Sequence, residues 1–248
     1  MTGADHTPIR AAAASARRIA SISTWASKGR SVVTRDHHQW FAHRREEMSF
    51  VEQLCVKSDQ GFAPTAIRRF KKILFLSAID SFSMIAADHG LISPQSNRDR
   101  FVKCVLDVGR WEHGSCVSVA VVASPRHPDH RRLDIPQTIK DRAADRLPAL
   151  DTGCKCRLDV DWLPDDTPNG WSAPARLTHA HLLWDYRNSV LHEFHSDPSW
   201  CEYGGDDNTD AHYANVMGTA DRCWRPCYTT AFLLRLARQC LDGLERAM

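Results

Sequence analysis

Hydrophobic residues recur at three- and four-residue intervals along most of this chain. From Met48 the apolar positions Phe50, Val51, Leu54 and Cys55 fall on one side of a helix. After Gly61 and Pro64 the spacing predicts a long helix over 65–87. Ile67, Phe70, Ile73, Leu74, Ala78, Phe82 and Ile85 form its apolar face, and Gly90 and Pro94 end it. Ser96 and Asp99 read as a capping box, which opens a helix with Phe101, Val102, Val105 and Val108 inward. Residues 116–123 alternate and are rich in Val, which suits either a short strand or a buried helical turn.

Seven of the twelve prolines lie between Pro125 and Pro174, with one short amphipathic helix marked by Ile139, Ala143 and Leu147. This stretch, about 124–174, has too few apolar residues for its own core and reads as an excursion from a helical body. A further helix is predicted over 174–195, with Leu182, Leu183, Tyr186, Val190 and Phe194 inward and Ser196-Asp-Pro198 as its stop. Residues 199–215 read as a polar, glycine-rich loop. The last helix takes 231–246, with Leu233, Leu234, Leu236, Ala237, Cys240, Leu241 and Leu244 on one side. The expected fold is all-α: a helical bundle of four to five long helices with a proline-rich insertion.

Composition divides the chain at about residue 47. Residues 1–47 are rich in Ala, Ser and Arg and carry eight basic against four acidic side chains. With few apolar positions this segment reads as a flexible basic extension, or as the product of a start codon assigned upstream of Met48. The helical domain is then 48–248. The whole chain has a net charge of +2, so bulk charge does not announce a nucleic-acid partner. Its apolar runs, 73–79 and 117–123, are far shorter than the ~18 residues of a membrane span.

Nine cysteines and no secretory leader are expected of a cytoplasmic protein with reduced thiols. Cys154-Lys-Cys156 and Cys223-Trp-Arg-Pro-Cys227 have the look of metal knuckles, but their internal spacings differ from the usual zinc pattern. No metal or other cofactor is expected.

The segment richest in chemistry is 182–194. On a helix, Asp185, Asn188, His192 and His195 lie at i, i+3, i+7 and i+10, a polar stripe beside an apolar one. Arg187 lies about 100° from Asn188 around the axis, and its long side chain reaches toward the same space. Arg187, Asn188 and His192 thus converge on a small anion. Arginine supplies a permanent charge and a planar fork for phosphate. Histidine moves a proton near neutral pH, and asparagine adds an uncharged donor and acceptor. The set suits phosphodiester transfer on RNA without a metal, with the ribose 2′-OH as nucleophile. Arg separated by four to six residues from His occurs at Arg30–His37, Arg176–His181 and Arg187–His192, but only the last lies within an amphipathic helix. Plainer readings stand beside these: a surface ion pair for Arg187, an interface histidine for His192, a helix C-terminal cation for His195. Arg68, Arg69, Lys71 and Lys72 form either a solvated face or a contact to an RNA backbone. Trp184 either packs in an interface or stacks a base.

The wording Tyr186-Arg-Asn-Ser-Val-Leu-His-Glu-Phe194 resembles the signature of the HEPN superfamily: Arg, a polar residue, three variable residues and His. Phe75-Leu-Ser-Ala-Ile-Asp-Ser-Phe82 resembles an early core helix of bacterial HEPN proteins. Asn97-Arg-Asp-Arg-Phe-Val-Lys103 is similar to the segment that often follows it, and 111–121 to the next piece. The resemblance covers about 62–247, discontinuously. It implies a helical bundle that dimerises and a metal-independent endoribonuclease site shared by the two protomers. The products would carry 2′,3′-cyclic phosphate ends, and the setting would be a toxin–antitoxin or other defence system.

Carried over, Arg187 and His192 are the catalytic pair, Asn188 the polar neighbour, and Asp80 a supporting polar residue. Trp184, Arg68 and Arg69 are the candidate substrate contacts. The implied partners are RNA, a second copy of the chain, and a cognate antitoxin protein; no membrane is implied. The proline-rich insertion and the 1–47 extension depart from the family pattern. Some HEPN domains lack nuclease activity, so a non-catalytic module binding nucleotide, nucleic acid or a partner protein is the alternative.

Overall fold

A computed structural model of the chain describes residues 36–54, 64–124, 133–148, 155–193, 200, 208–215 and 223–248. The chain divides into two units, Met1–His43 and Arg44–Met248. Of the first, only residues 36–43 are described. The rest of the extension, 1–35, lies outside the described residues, as do 125–132 and 149–154 of the insertion.

The protein is mostly helical, with a small three-stranded sheet. Seven α-helices are described: α1 (Asp36–Gln53), α2 (Pro64–Asp88), α3 (Asn97–Lys103), α4 (Val119–Ala123), α5 (Gln137–Arg146), α6 (His179–Asn188) and α7 (Thr230–Ala247). Two π-helical segments, Cys104–Val108 and Ser189–Glu193, continue α3 and α6. Only α1, α2 and α7 exceed ten residues.

α2 and α7 form the centre of the larger unit and have the widest contact in it. Phe75, Leu76, Ile79, Phe82 and Ala86 of α2 are buried, as are Leu233, Leu236, Ala237, Cys240, Leu241 and Leu244 of α7. On α7 these are the residues that the three-four spacing placed inward. On α2 the spacing placed Ile67, Phe70, Ile73, Leu74, Ala78, Phe82 and Ile85 inward; of these only Phe82 is buried and Phe70 is 49% exposed, because α2 has apolar residues on more than one side and spacing alone does not select its core face. The π segment after α3 crosses α7 closely. A Cβ on Gly243 would stand 2.1 Å from the Val108 carbonyl oxygen, so only glycine fits there. α1 begins well before Met48. Its residues are largely polar, and its later turns are tied to α7 by ion pairs: Arg45 with Asp242 at 2.7 Å and with Glu245, and Glu52 with Arg238 at 2.8 Å. That helix is missed at 36–47 because polar pairs, not an apolar stripe, mark its course.

The Val-rich stretch takes the helical reading of the two, with no strand beyond isolated bridges at Val117. Val117 sits in isolated antiparallel bridges to Trp162 and Thr178, and Val119–Ala123 is helical. The Ser118 hydroxyl caps that helix by accepting from the Val121 N–H. α6 starts at His179 and not at 174, because residues 175–177 form a separate 3-10 turn.

Two expectations are corrected. The fold is not purely α: β1 (Lys155–Arg157), β2 (His212–Asn215) and β3 (Trp224–Cys227) pair antiparallel in the order β1-β2-β3. All four residues of β2 are buried, in a stretch that reads as loop. Strands of three and four residues are too short to carry a period-two pattern. β3 tolerates Pro226 because it is an edge strand. Nor is the inserted stretch an excursion. Ile135, Ile139, Ala143, Leu158 and Trp162 from it are buried, and α5 packs on α4.

Candidate functional site

Leu182, Leu183 and Tyr186 turn α6 inward, which leaves Trp184, Asp185, Arg187 and Asn188 half-buried along its outer side. α2 and α3 meet this side with charged groups. Asp80 on α2 accepts from Arg187 Nη2 through Oδ2 at 2.9 Å. Arg187 Nη1 donates to Asn188 Oδ1 at 2.8 Å. The guanidinium also stands 4.9 Å from the centre of the Trp184 ring, which packs on Phe101 at 5.4 Å. The arginine is therefore fixed from three directions.

α3 adds two more arginines. Ser96 Oγ accepts from the Asp99 N–H at 3.1 Å, so the cap is present, while the Asp99 carboxylate accepts at 2.8 Å from the N–H of Gln95, one residue before the cap, and not from that of Ser96. The cap starts the helix where Arg98 reaches Asp185 and Arg100 reaches Asp80. Burial works to raise the Asp99 carboxyl, but the Gln95 N–H and Lys103 outweigh it and bring it below the usual range. His181, one turn before Asp185, is held below its ordinary pKa, chiefly by burial and next by Arg98.

α6 changes winding within the motif. The π segment begins at Ser189, two residues after Arg187, and takes in the backbone of His192. In an α-helix, residues five apart stand about 140° apart around the axis. The i→i+5 bonds of π winding bring such residues toward the same side. The His192 side chain lies outside the described residues, as does all of His195.

Arg187, Asn188 and Asp80 are thus brought together, with Trp184 against them. Arg68 and Arg69 are not. They precede Asp80 on α2 by twelve and eleven residues, about 17 Å along the axis. Lys72 is buried, with its ammonium 5.5 Å from the Tyr186 ring centre, so it is not part of a solvated face.

Among the described residues no group of three or more His, Cys, Asp or Glu could hold a metal ion. Cys156 pairs with Tyr213, and Cys227 pairs with its neighbour His212. Successive strand residues face opposite ways, so these two thiols lie on opposite faces of the sheet. Cys154 lies outside the described residues. Burial pushes the Cys156 thiol up, against thiolate formation. A recess of about 350 Å³ in the inserted stretch is lined by Arg142, Asp145, Arg146, Trp162, Asp166 and Pro168, and shares no residue with the Arg187 set.

One polar cluster has no sequence signal at all. Asp161 and His179 are both fully buried, with Oδ2 and Nε2 2.7 Å apart. Tyr213 donates to Asp161 Oδ1 at 2.5 Å and meets Ser118 Oγ at 2.7 Å. The Val119 N–H also donates to that carboxylate, at 3.0 Å. Closed to solvent and mutually satisfied, the cluster joins the inserted stretch to α4, α6 and β2 and offers no entry to a substrate. Arg98 and Arg100 are also missed as site residues, since nothing local shows which carboxylates they meet.

No family model, curated protein or solved structure matches the chain.

Proposed function

We propose that this protein is a metal-independent endoribonuclease of HEPN type, acting as a toxin or defence effector in the cytoplasm. The observation that carries the reading is the fixed guanidinium of Arg187, set by Asp80 and Asn188 on a helix whose winding changes at the motif histidine. Arg187 holds a non-bridging oxygen of the scissile phosphate and stabilises the charge that builds there. His192 moves the proton, and Asn188 orients the group. The 2′-oxygen loses its proton as it bonds to phosphorus. The bond from phosphorus to the 5′-oxygen breaks, and that oxygen takes up a proton. The products are a 2′,3′-cyclic phosphate and a 5′-hydroxyl.

In this reading the longer helices form a HEPN-like bundle of four to five members, with the π segment counted into α6. Two copies place their Arg187 and His192 residues in one cleft, and a cognate antitoxin protein covers it. Trp184, Arg68 and Arg69 contact RNA away from the scissile phosphate.

The test is cleavage of tRNA, rRNA and mRNA pools in EDTA by wild type, His192→Ala and Arg187→Ala. Cleavage that both folded variants lose, with cyclic phosphate ends, supports the reading. Cleavage that survives both overturns it.

A second reading rests on the same guanidinium. Asp80, Asn188 and Trp184 together are also what a purely structural arginine would have. The protein is then a non-catalytic HEPN-like module for a nucleotide, nucleic acid or partner protein. Absence of cleavage by the wild type on all three pools favours it.

A further inference from the structure

α2 has a second side. At about 100° per residue, positions 67, 70, 73, 74, 77, 78, 81, 84 and 85 form the side turned away from the buried Ile79, with Lys71 and Asp80 at its two edges. None of these nine positions is charged, although the outward side of a surface helix is ordinarily polar. Phe70 is 49% exposed and Met84 37%, so the side is not closed over within one copy of the chain.

Its pattern is self-complementary. The small residues Ser77, Ala78 and Ser81 stand in the middle. Phe70 and Leu74 lie toward one end, Met84 and Ile85 toward the other. Laid antiparallel on a second copy about Ser77 and Ala78, Phe70 falls opposite Ile85, and the large Leu74 falls opposite the small Ser81. The charges fit the same arrangement. α2 has no acid in its first turn and no base in its last, and it ends on Asp88, at the negative end of its own dipole. Asp88 makes no hydrogen bond or ion pair among the described residues. Lys71, in the second turn, donates to a backbone carbonyl, that of Glu52, at 2.7 Å. In the antiparallel pair, Asp88 of each copy lies about one turn from Lys71 of the other.

We infer that this side of α2 is where two copies of the chain meet, antiparallel about a two-fold axis at Ser77 and Ala78. The strip is about 30 Å long and about 10 Å wide, roughly 300 Å² per copy, against the ~800 Å² per partner of a standard interface. The dimer is accordingly reversible, with a Kd on the order of micromolar. A two-fold axis across antiparallel helices keeps like edges on one side. Both Asp80 edges, each with its Arg187, therefore fall on the same side of the helix pair, about 8 Å apart along its length. The pairing stands on α2 alone; that the two Arg187 residues share a cleft rests on the nuclease reading above.

The experiment is sedimentation velocity of the full chain from about 1 to about 200 μM. The wild type is expected to pass from monomer to dimer. Ala78→Arg sets two like charges at the axis and is expected to raise Kd about tenfold or more. Lys71→Asp and Asp88→Lys each bring like charges together and are expected to weaken self-association. An equimolar mixture of these two variants restores both opposite-charge pairs and is expected to dimerise as wild type does. If Ala78→Arg fails to fold by circular dichroism, the charge variants decide.

A wild type that stays monomeric overturns the inference and leaves the face to a different protein. A dimer that ignores Ala78→Arg uses another surface and overturns it, as does a mixture that associates no better than its components. Association beyond two copies also overturns it, because an isologous face closes at the dimer. A dimer through α2 together with intact RNA in the cleavage assay removes the nuclease and keeps the pairing. Cleavage by a chain that stays monomeric does the reverse.

Discussion

Asp80 and Arg187 are 107 residues apart in the chain and 2.9 Å apart in the fold. The contact ties the motif helix α6 to the central helix α2. Both side chains are mostly shielded, so their attraction exceeds that of an exposed pair, while each depends on the other to offset its lost hydration. A double-mutant cycle with Asp80→Ala and Arg187→Ala, read by urea unfolding, is expected to give a coupling of about 1–2 kcal/mol. If the two changes simply add, the pair does not join the helices.

The buried cluster around Asp161 gives a steeper expectation. Tyr213→Phe removes one hydroxyl, but Asp161 keeps His179 and the Val119 N–H. The cost should be about 1–3 kcal/mol. Asp161→Ala strands His179, Tyr213 and the Val119 N–H at once, and should cost about 3–5 kcal/mol. Chemical denaturation of both variants checks the order. An Asp161→Ala protein as stable as wild type would mean that the inserted stretch is not part of the cooperative unit.

The sequence carries those parts of the fold that repeat locally. α7 carries one apolar face that recurs over several turns and is buried as spaced, and Ser96 and Asp99 are three residues apart, so α3 announces its own start; α2 is legible as a helix, but with apolar residues on more than one side its buried face is not. Arg187 and Asn188 lie next to each other on one helix, so their contact is local, whereas the His192 side chain lies outside the described residues. Arg98 and Arg100 are not legible, because their carboxylates come from α6 and α2 and only the folded chain selects them. β1, β2 and β3 escape because each has a single turn's worth of residues or fewer on either face. Asp161 reads as one acid among many in a proline-rich stretch, and only burial beside His179 gives it a role.

Stability should fall on the acid side of neutrality. His212 is buried in β2, and that burial is the main cause of its lowered pKa. Its hydrogen bond to the Asp210 carbonyl opposes the shift, and Lys155 and Lys72 add to it. His181 is shifted the same way. An unfolded histidine titrates near 6.5, so below that pH the unfolded chain binds protons that the native state refuses. The contribution is full above about pH 6.5 and is lost as pH falls toward the lowered values. Urea midpoints should therefore be lower at about pH 5.5 than at pH 7.5. His212→Asn, which keeps a donor for the Asp210 carbonyl, should flatten the difference. A wild-type midpoint that rises toward acid would contradict this.

Two glycines separate close packing from backbone strain. At Gly243 an added Cβ would stand 2.1 Å from the Val108 carbonyl oxygen and 2.8 Å from its Cγ1. Backbone cannot yield as a flexible side chain does, so α7 must move away from the π segment that follows α3. Gly243→Ala should cost about 3 kcal/mol or more, at the upper end of overpacking effects. At Gly90 nothing lies within 4 Å, but φ is +70°. Gly90→Ala should cost only the strain of a left-handed residue, about 1 kcal/mol. For a domain of this size the two differ by about 4–8 °C in thermal midpoint. If the two variants melt together, α7 does not approach the π segment as closely as the Gly243 contact requires.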